Sequence, residues 1–202
     1  MRRLLLTGFE PFGGGSVNPS WEVARRLDGE EVGGYTVVAR RLPVIWGQAL
    51  NVLWAELDEV RPDLIISLGQ SGGRAEICPE RVGINVCDAA SGDNAGTVLT
   101  DEPIVPAGPA AYFSTLPLKP MVQAMREAGV PARVSNSAGT YLCNQVLYGL
   151  LHRLAPAQNS APAGFIHVPA LPEQVSTSSK GEPSMDLATQ VRGIRAAIGA
   201  CA

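Results

Sequence analysis

The sequence predicts an α/β protein, a single domain on a mostly parallel twisted sheet with helices on both faces. Three observations carry this. Strand-like and helix-like segments alternate along the 202 residues, as in chains of βα units. The run DLIISLG is apolar throughout, the pattern of a strand covered on both faces. A content of 46% hydrophobic and 17% charged residues suits one domain of this length with a sizeable core. No repeat or linker divides the chain, so residues 1–202 are expected to form one unit.

In chain order, RRLLLTGF reads as a strand entering a glycine turn. NPSWEVARRLDG reads as a helix with Asn18 as N-cap, Pro19 at the first helical position and Gly29 near its stop. YTVVARRLPV is a second strand. A helix from about Gly47 to Val60 follows, with Leu50, Leu53, Trp54 and Leu57 on one face. DLIISLG is the third strand and RVGINVCD a shorter one. Ala89 to Gly108, rich in Gly, Asp and Pro, reads as a long loop. Ala110 to Ala128 is expected to be helical, kinked or delayed by Pro117 and Pro120. PARVS is a β-like run to Ser135, and after small polar residues through Gly139 a helical pattern carries Cys143 in its first turn. APAQNSAPAG is a low-complexity connection, GFIHVPAL a strand and LPEQVSTSSKGEPS a polar, mobile loop. A helix from about Pro183 to Gly199 closes the chain.

A net charge of −3 offers no electrostatic basis for binding nucleic acid or an anionic membrane. The N-terminal LLL is too short for a signal-peptide core. No apolar run approaches the ~20 residues of a membrane span. The expectation is a soluble, cytoplasmic protein. Its four cysteines lack CxxC spacing, which argues for free thiols. With only two histidines and no HExxH pattern, no metal site or cofactor is expected.

In parallel sheets, sites form at the carboxyl ends of strands. That rule selects Phe9–Gly15, Leu68–Arg74, Asn136–Cys143 and His167–Leu171. Cys143 stands out among them. Amides in a first helical turn lack intrahelical partners, and their field favours a thiolate nucleophile. The competing reading is that most cysteines are small buried hydrophobes. A thiol nucleophile normally needs a base. His152, nine residues on along the same helix, falls roughly on the opposite face and ~13 Å along the axis. His167, at the end of an apolar strand, is the feasible partner. Its orienting acid could be Glu80, Glu10, Asp93 or Asp101, and spacing does not choose among them. For Glu80 the competing reading is a surface pair with Arg81. Phe9 and Phe12, three apart in a loop, are either plugs under the turn or walls of an apolar pocket. The glycines of GQSGGR could bring backbone groups close to a ligand. GFEPFGGG lacks both GxxxxGK[ST] and GxGxxG, which leaves a phosphate-binding reading weak.

Taken together, LLTGFEPFGG with NPSW, SLGQSGGR, PERVGIN, SAGTYLCNQVLYGLLH and GFIHVPALPEQ, followed by PSM, resemble the pyroglutamyl peptidase I family of cysteine peptidases along nearly the whole chain. The resemblance implies a Cys143–His167–Glu80 triad, choosing Glu80 from the candidate acids. It also implies one α/β domain, no metal cofactor, a cytoplasmic location and homo-oligomers, dimers or tetramers. The implied reaction removes an N-terminal pyroglutamate from peptides. Phe9 and Phe12 resemble the family's ring-clamping aromatics. Tyr141, with Leu142, stands where the family often has Phe, and Gln70 resembles the residue whose backbone reads the lactam. Ala90 and Ser91 depart from the pattern, replacing an Arg and an apolar residue common there. Cys87 stands where acidic residues are common and reads as incidental. The rival readings are an amidase for another small acyl group, a silent binder of pyroglutamyl peptides and, last, a nucleotide or phosphate binder.

Overall fold

The computed structural model describes residues 2–156, 161–176 and 181–202. The N-terminal apolar run forms β1 (Arg2–Phe9) at the centre of a sheet, and its alternation sets the two faces. Leu4 and Leu6 pack on one side with Val23, Ala24 and Leu27 of α1 (Pro19–Leu27). Met121 of α3 (Leu118–Glu127) and Ile194 of α6 (Leu187–Gly199) join that layer. Leu5 packs on the other side with Leu50 and Leu53 of α2 (Gln48–Val60) and Val146 and Leu150 of α4 (Leu142–Leu154). Helices therefore cover both faces, as expected.

Sheet order is β2-β3-β1-β4-β8-β5. Here β2 is Glu31–Val32, β3 Tyr35–Leu42, β4 Leu64–Gln70, β5 Cys78–Pro79 and β8 Ala163–Val168. The inner pairs β3–β1, β1–β4 and β4–β8 are parallel, whereas both two-residue edge strands run antiparallel. These edges are too short to show a period in sequence. Asn18 caps α1, its side chain accepting from Ser20 N–H, and Pro19 occupies the first turn.

Five expectations need correction. Ala110–Ala128 is not one helix: Ala111–Phe113 forms β7, antiparallel to β6 (Val82–Ile84), and α3 starts only at Leu118. Pro120 sits in its first turn, where a missing N–H costs no helical bond. RVGINVCD contributes only three residues to a strand, paired outside the main sheet. The run to Ser135 makes isolated bridges, Ala132 with Ile77 and Ser135 with Glu80, rather than a strand. The closing helix starts at Leu187 because Asp186 caps it, accepting from Thr189 N–H. Within the expected 171–184 loop, Pro172–Val175 forms a single helical turn, α5. Residues 157–160 of the low-complexity connection and 177–180 of that loop lie outside the described residues.

Candidate active site

The site forms where β4 and β8 end beside the N-terminus of α4. Strand alternation on β8 puts His167 on the same face as Phe165, the face covered by α4. The two rings lie 5.0 Å apart. Across the ladder, Gly69 pairs with His167. A Cβ added at Gly69 would lie 2.7 Å from Cys143 Sγ, so only glycine leaves room for the thiol there.

Helix α4 is anchored through its first turn. Asn144, next to the thiol, donates to Ile84 O and Val86 O and accepts from Ile84 N–H, all at 2.9 Å. Its N-cap, Tyr141, supplies no side-chain cap. The first helical bond runs from Gln145 N–H to Tyr141 O. The amides of Leu142, Cys143 and Asn144 thus have no helical acceptor and concentrate positive potential beside the sulfur.

Gly69 thus sets the Cys143 sulfur beside the His167 ring. On the other side of that ring, Nδ1 lies 2.7 Å from Glu80 Oε1. A carboxylate only accepts, so Nδ1 carries the proton and Nε2 is left for the thiol. Glu80 is fully buried and His167 is 4% exposed. Burial opposes a charge on the imidazole, but the Cys143 sulfur and Glu80 outweigh it, raising His167 to about 9. Glu80 Oε1 also accepts from Arg74 Nη1 at 3.1 Å, while Oε2 has no partner among the described residues. Cys143, His167 and Glu80 are therefore brought together in one line.

The other candidates are engaged elsewhere. His152 stacks on Tyr148 and bonds the Tyr112 hydroxyl through Nδ1 at 2.9 Å. Glu10 Oε1 accepts from Val44 N–H and Asn94 Nδ2. Asp93 accepts from the backbone of Trp46, Ala95 and Thr97. Asp101 is exposed. Glu80 is not paired with Arg81, whose guanidinium bonds Asn136 Oδ1 instead. Burial pushes the remaining thiols up, Cys87 and Cys201 to about 11 and Cys78 in the same direction. All four cysteines are free.

Cys143 opens into a small apolar slot lined also by Phe9, Phe12, Gln70, Tyr141 and Leu142. Phe9 fills both roles left open for it: 3% exposed, it packs in the core and forms a slot wall, whereas Phe12 is 38% exposed. Tyr141 is fixed edge-on against Trp46, centroids 5.1 Å apart, and its hydroxyl donates to Gly92 O. Ala90 and Ser91 lie in an adjoining cleft beside Phe12 and Tyr141. Sequence reasoning missed Asn18 and Val44 on the slot, Trp46 behind Tyr141 and the Arg74 side chain on Glu80. Asn18 was legible only as a cap, and nothing local marks the others. No group of three or more His, Cys, Asp or Glu able to hold a metal occurs among the described residues. No helix among them is long and apolar enough to cross a membrane.

A profile of the pyroglutamyl peptidase family matches residues 2–202. A pyrrolidone-carboxylate peptidase of Yersinia pestis (strain Pestoides F) is 52% identical over 198 residues, covering 98% of this chain and 92% of that one. Among solved structures, pyroglutamyl peptidase I from Bacillus amyloliquefaciens superposes with a TM-score of 0.96 at 40% identity, covering 99% of this chain and 94% of that one. A mutant pyrrolidone carboxyl peptidase from Pyrococcus furiosus gives 0.94 at 44%, covering 98% and 97%. With this sequence match along its length and a thiol, an imidazole and a carboxylate aligned at the mouth of an apolar slot, the chain belongs to the pyroglutamyl peptidase family of cysteine peptidases.

Proposed function

We propose that this protein removes N-terminal pyroglutamate from peptides and proteins through a thioester on Cys143. The observation that carries the reading is the grouping of Cys143, His167 and Glu80 beside a small apolar slot in a chain of this family. The Cys143 thiolate attacks the pyroglutamyl carbonyl carbon, and the carbonyl oxygen takes the negative charge. Free amides of the first α4 turn stabilise that oxyanion. Protonated His167 donates to the departing amine nitrogen as the C–N bond breaks, leaving a thioester. His167 then takes a proton from water, whose oxygen attacks the thioester and releases pyroglutamate and the thiolate. Glu80 orients the ring and stabilises its charged form.

Phe9, Phe12, Tyr141 and Leu142 serve as apolar walls for the flat ring, and Gln70 supplies backbone groups for the lactam. Proline lacks the ring carbonyl and leaves a buried donor unpaired, at a cost of about 1–3 kcal/mol. We assign residues 1–202 to a single peptidase domain that needs no cofactor and works in the cytoplasm as a homo-oligomer, a dimer or tetramer. Neither nucleic acid nor membrane enters this reading as a partner.

Hydrolysis of a pyroglutamyl fluorogenic amide, measured before and after iodoacetamide, tests the reading. Turnover is expected to vanish on alkylation of one thiol. Cys143→Ser is expected to keep the fold and lose at least about 1,000-fold in kcat. Comparable turnover by that variant sinks the assignment. Prolyl and glutamyl amides, expected to resist cleavage, separate this activity from that of a general amidase.

A further inference from the structure

We propose that the cleft on the His167 side of the slot binds the departing peptide, and that Glu173 and Glu182 make it favour a basic residue directly after pyroglutamate. This rests on the peptidase reading above. The slot is small and apolar, so it takes the ring and the rest of the peptide lies outside it. Two larger clefts adjoin the slot and share Phe12. One lies over the Asp88–Gly92 loop beside Thr140 and Tyr141. The other crosses the carboxyl ends of β4 and β8 and is walled by Gln70, Ala170 and α5.

The chemistry chooses between them. The departing nitrogen takes its proton from His167, so it must leave on the imidazole side. Ala170, three residues beyond His167, lines the second cleft, and Gln70, paired with Val168, lines both that cleft and the slot. The wall is also tied to the slot: Gln174 of α5 donates to Gln70 Oε1 at 3.2 Å and to Val17 O at 3.3 Å. One side chain thereby links the wall of the slot to the wall of the cleft.

The lining explains the preference. Among the described residues Glu173 and Glu182 are its charged side chains, and no Lys or Arg lines it. Gly13, Gly72 and Gly73 have open space where a Cβ would project, which leaves room for a long side chain. A pyroglutamyl peptide carries no N-terminal ammonium, so its nearest cation comes from a later side chain. A Lys or Arg directly after the ring delivers it to these carboxylates, where electrostatic complementarity favours capture.

The test compares kcat/KM for pyroglutamyl-arginyl, pyroglutamyl-alanyl and pyroglutamyl-glutamyl amides at low and high salt. The arginyl substrate is expected to exceed the glutamyl one by about tenfold at low salt, with the gap narrowing as salt screens it. Glu173→Gln and Glu182→Gln should each narrow the ratio, and Glu173→Lys with Glu182→Lys should reverse it. Equal rates for the three substrates, or an arginyl preference that survives charge reversal, overturns the subsite while leaving the peptidase reading intact. No turnover of any of the three overturns both.

Discussion

Glu80 and Asp93 are both buried carboxylates near the slot, yet their surroundings differ in kind. Glu80 faces side chains, the His167 imidazole and the Arg74 guanidinium, and its Oε2 has no partner among the described residues. Asp93 faces the backbone, accepting amides from Trp46, Ala95 and Thr97. Burial works against the Asp93 charge, but the ring of amides outweighs it and holds the carboxyl below its ordinary range. Asp93 fastens the loop that carries Gly92, against which Tyr141 is bonded. A carboxylate satisfied by amides has no reason to respond to the reaction. One set against an imidazole changes its interaction each time that ring gains or loses a proton. The strand-end wall is arranged for chemistry and the loop wall for shape.

Substitution of the two acids gives the strongest way to break this comparison. Glu80→Gln keeps the size of the side chain but removes the charge that helps hold the His167 proton. Its expected effect is a kcat lower by about 100-fold or more, with the alkaline limb of the pH–rate profile displaced to lower pH than in the wild type, because Glu80 helps raise His167. An unmoved limb contradicts the role given to Glu80. Asp93→Asn should do the reverse. It loosens the slot wall, raises KM severalfold, leaves the limb in place and costs about 1–3 kcal/mol of stability in denaturant titration. A shifted limb in this variant breaks the distinction between the walls.

The smallest effect is expected in stability against pH, and its sign differs between the walls. His167 binds its proton more tightly folded than unfolded. Its contribution is therefore full below about 6.5 and is lost as pH rises through about 9. Asp93 binds its proton less tightly folded. Its contribution is present above about 3.8 and is lost as pH falls through its lowered value. Denaturation midpoints across pH should show Cys143→Ala weakening the alkaline loss and Asp93→Asn weakening only the acid one.

Much of this was legible in the chain before folding. Apolar runs and capping residues mark β1, α1, α2, β4, α4 and β8, because each buries a face whose period is local. Cys143 was visible from its place in a first helical turn, and helical geometry was enough to separate His152 from it. Ala111–Phe113 was misread because a three-residue strand has too little period to outweigh the helix pattern that follows it. Among four possible acids, local pattern could not choose Glu80, and only the resemblance of whole motifs did so. The Glu80–His167 bond closes across 87 positions, and its length follows from how β5 pairs with β8.

The sequence by itself determined the layered α/β architecture, the nucleophile candidate and the family, since these depend on local periodicity, caps and ordered motifs. The tertiary structure decided the rest. It brought Arg74 onto Glu80, Asn18 and Val44 onto the slot, Gly69 under the thiol, and α5 with Glu173 beside the strand ends. The physical reason is that hydrogen bonds, buried charges and cavities depend on which distant segments meet. That meeting is set by sheet order and helix packing rather than by any short stretch of chain.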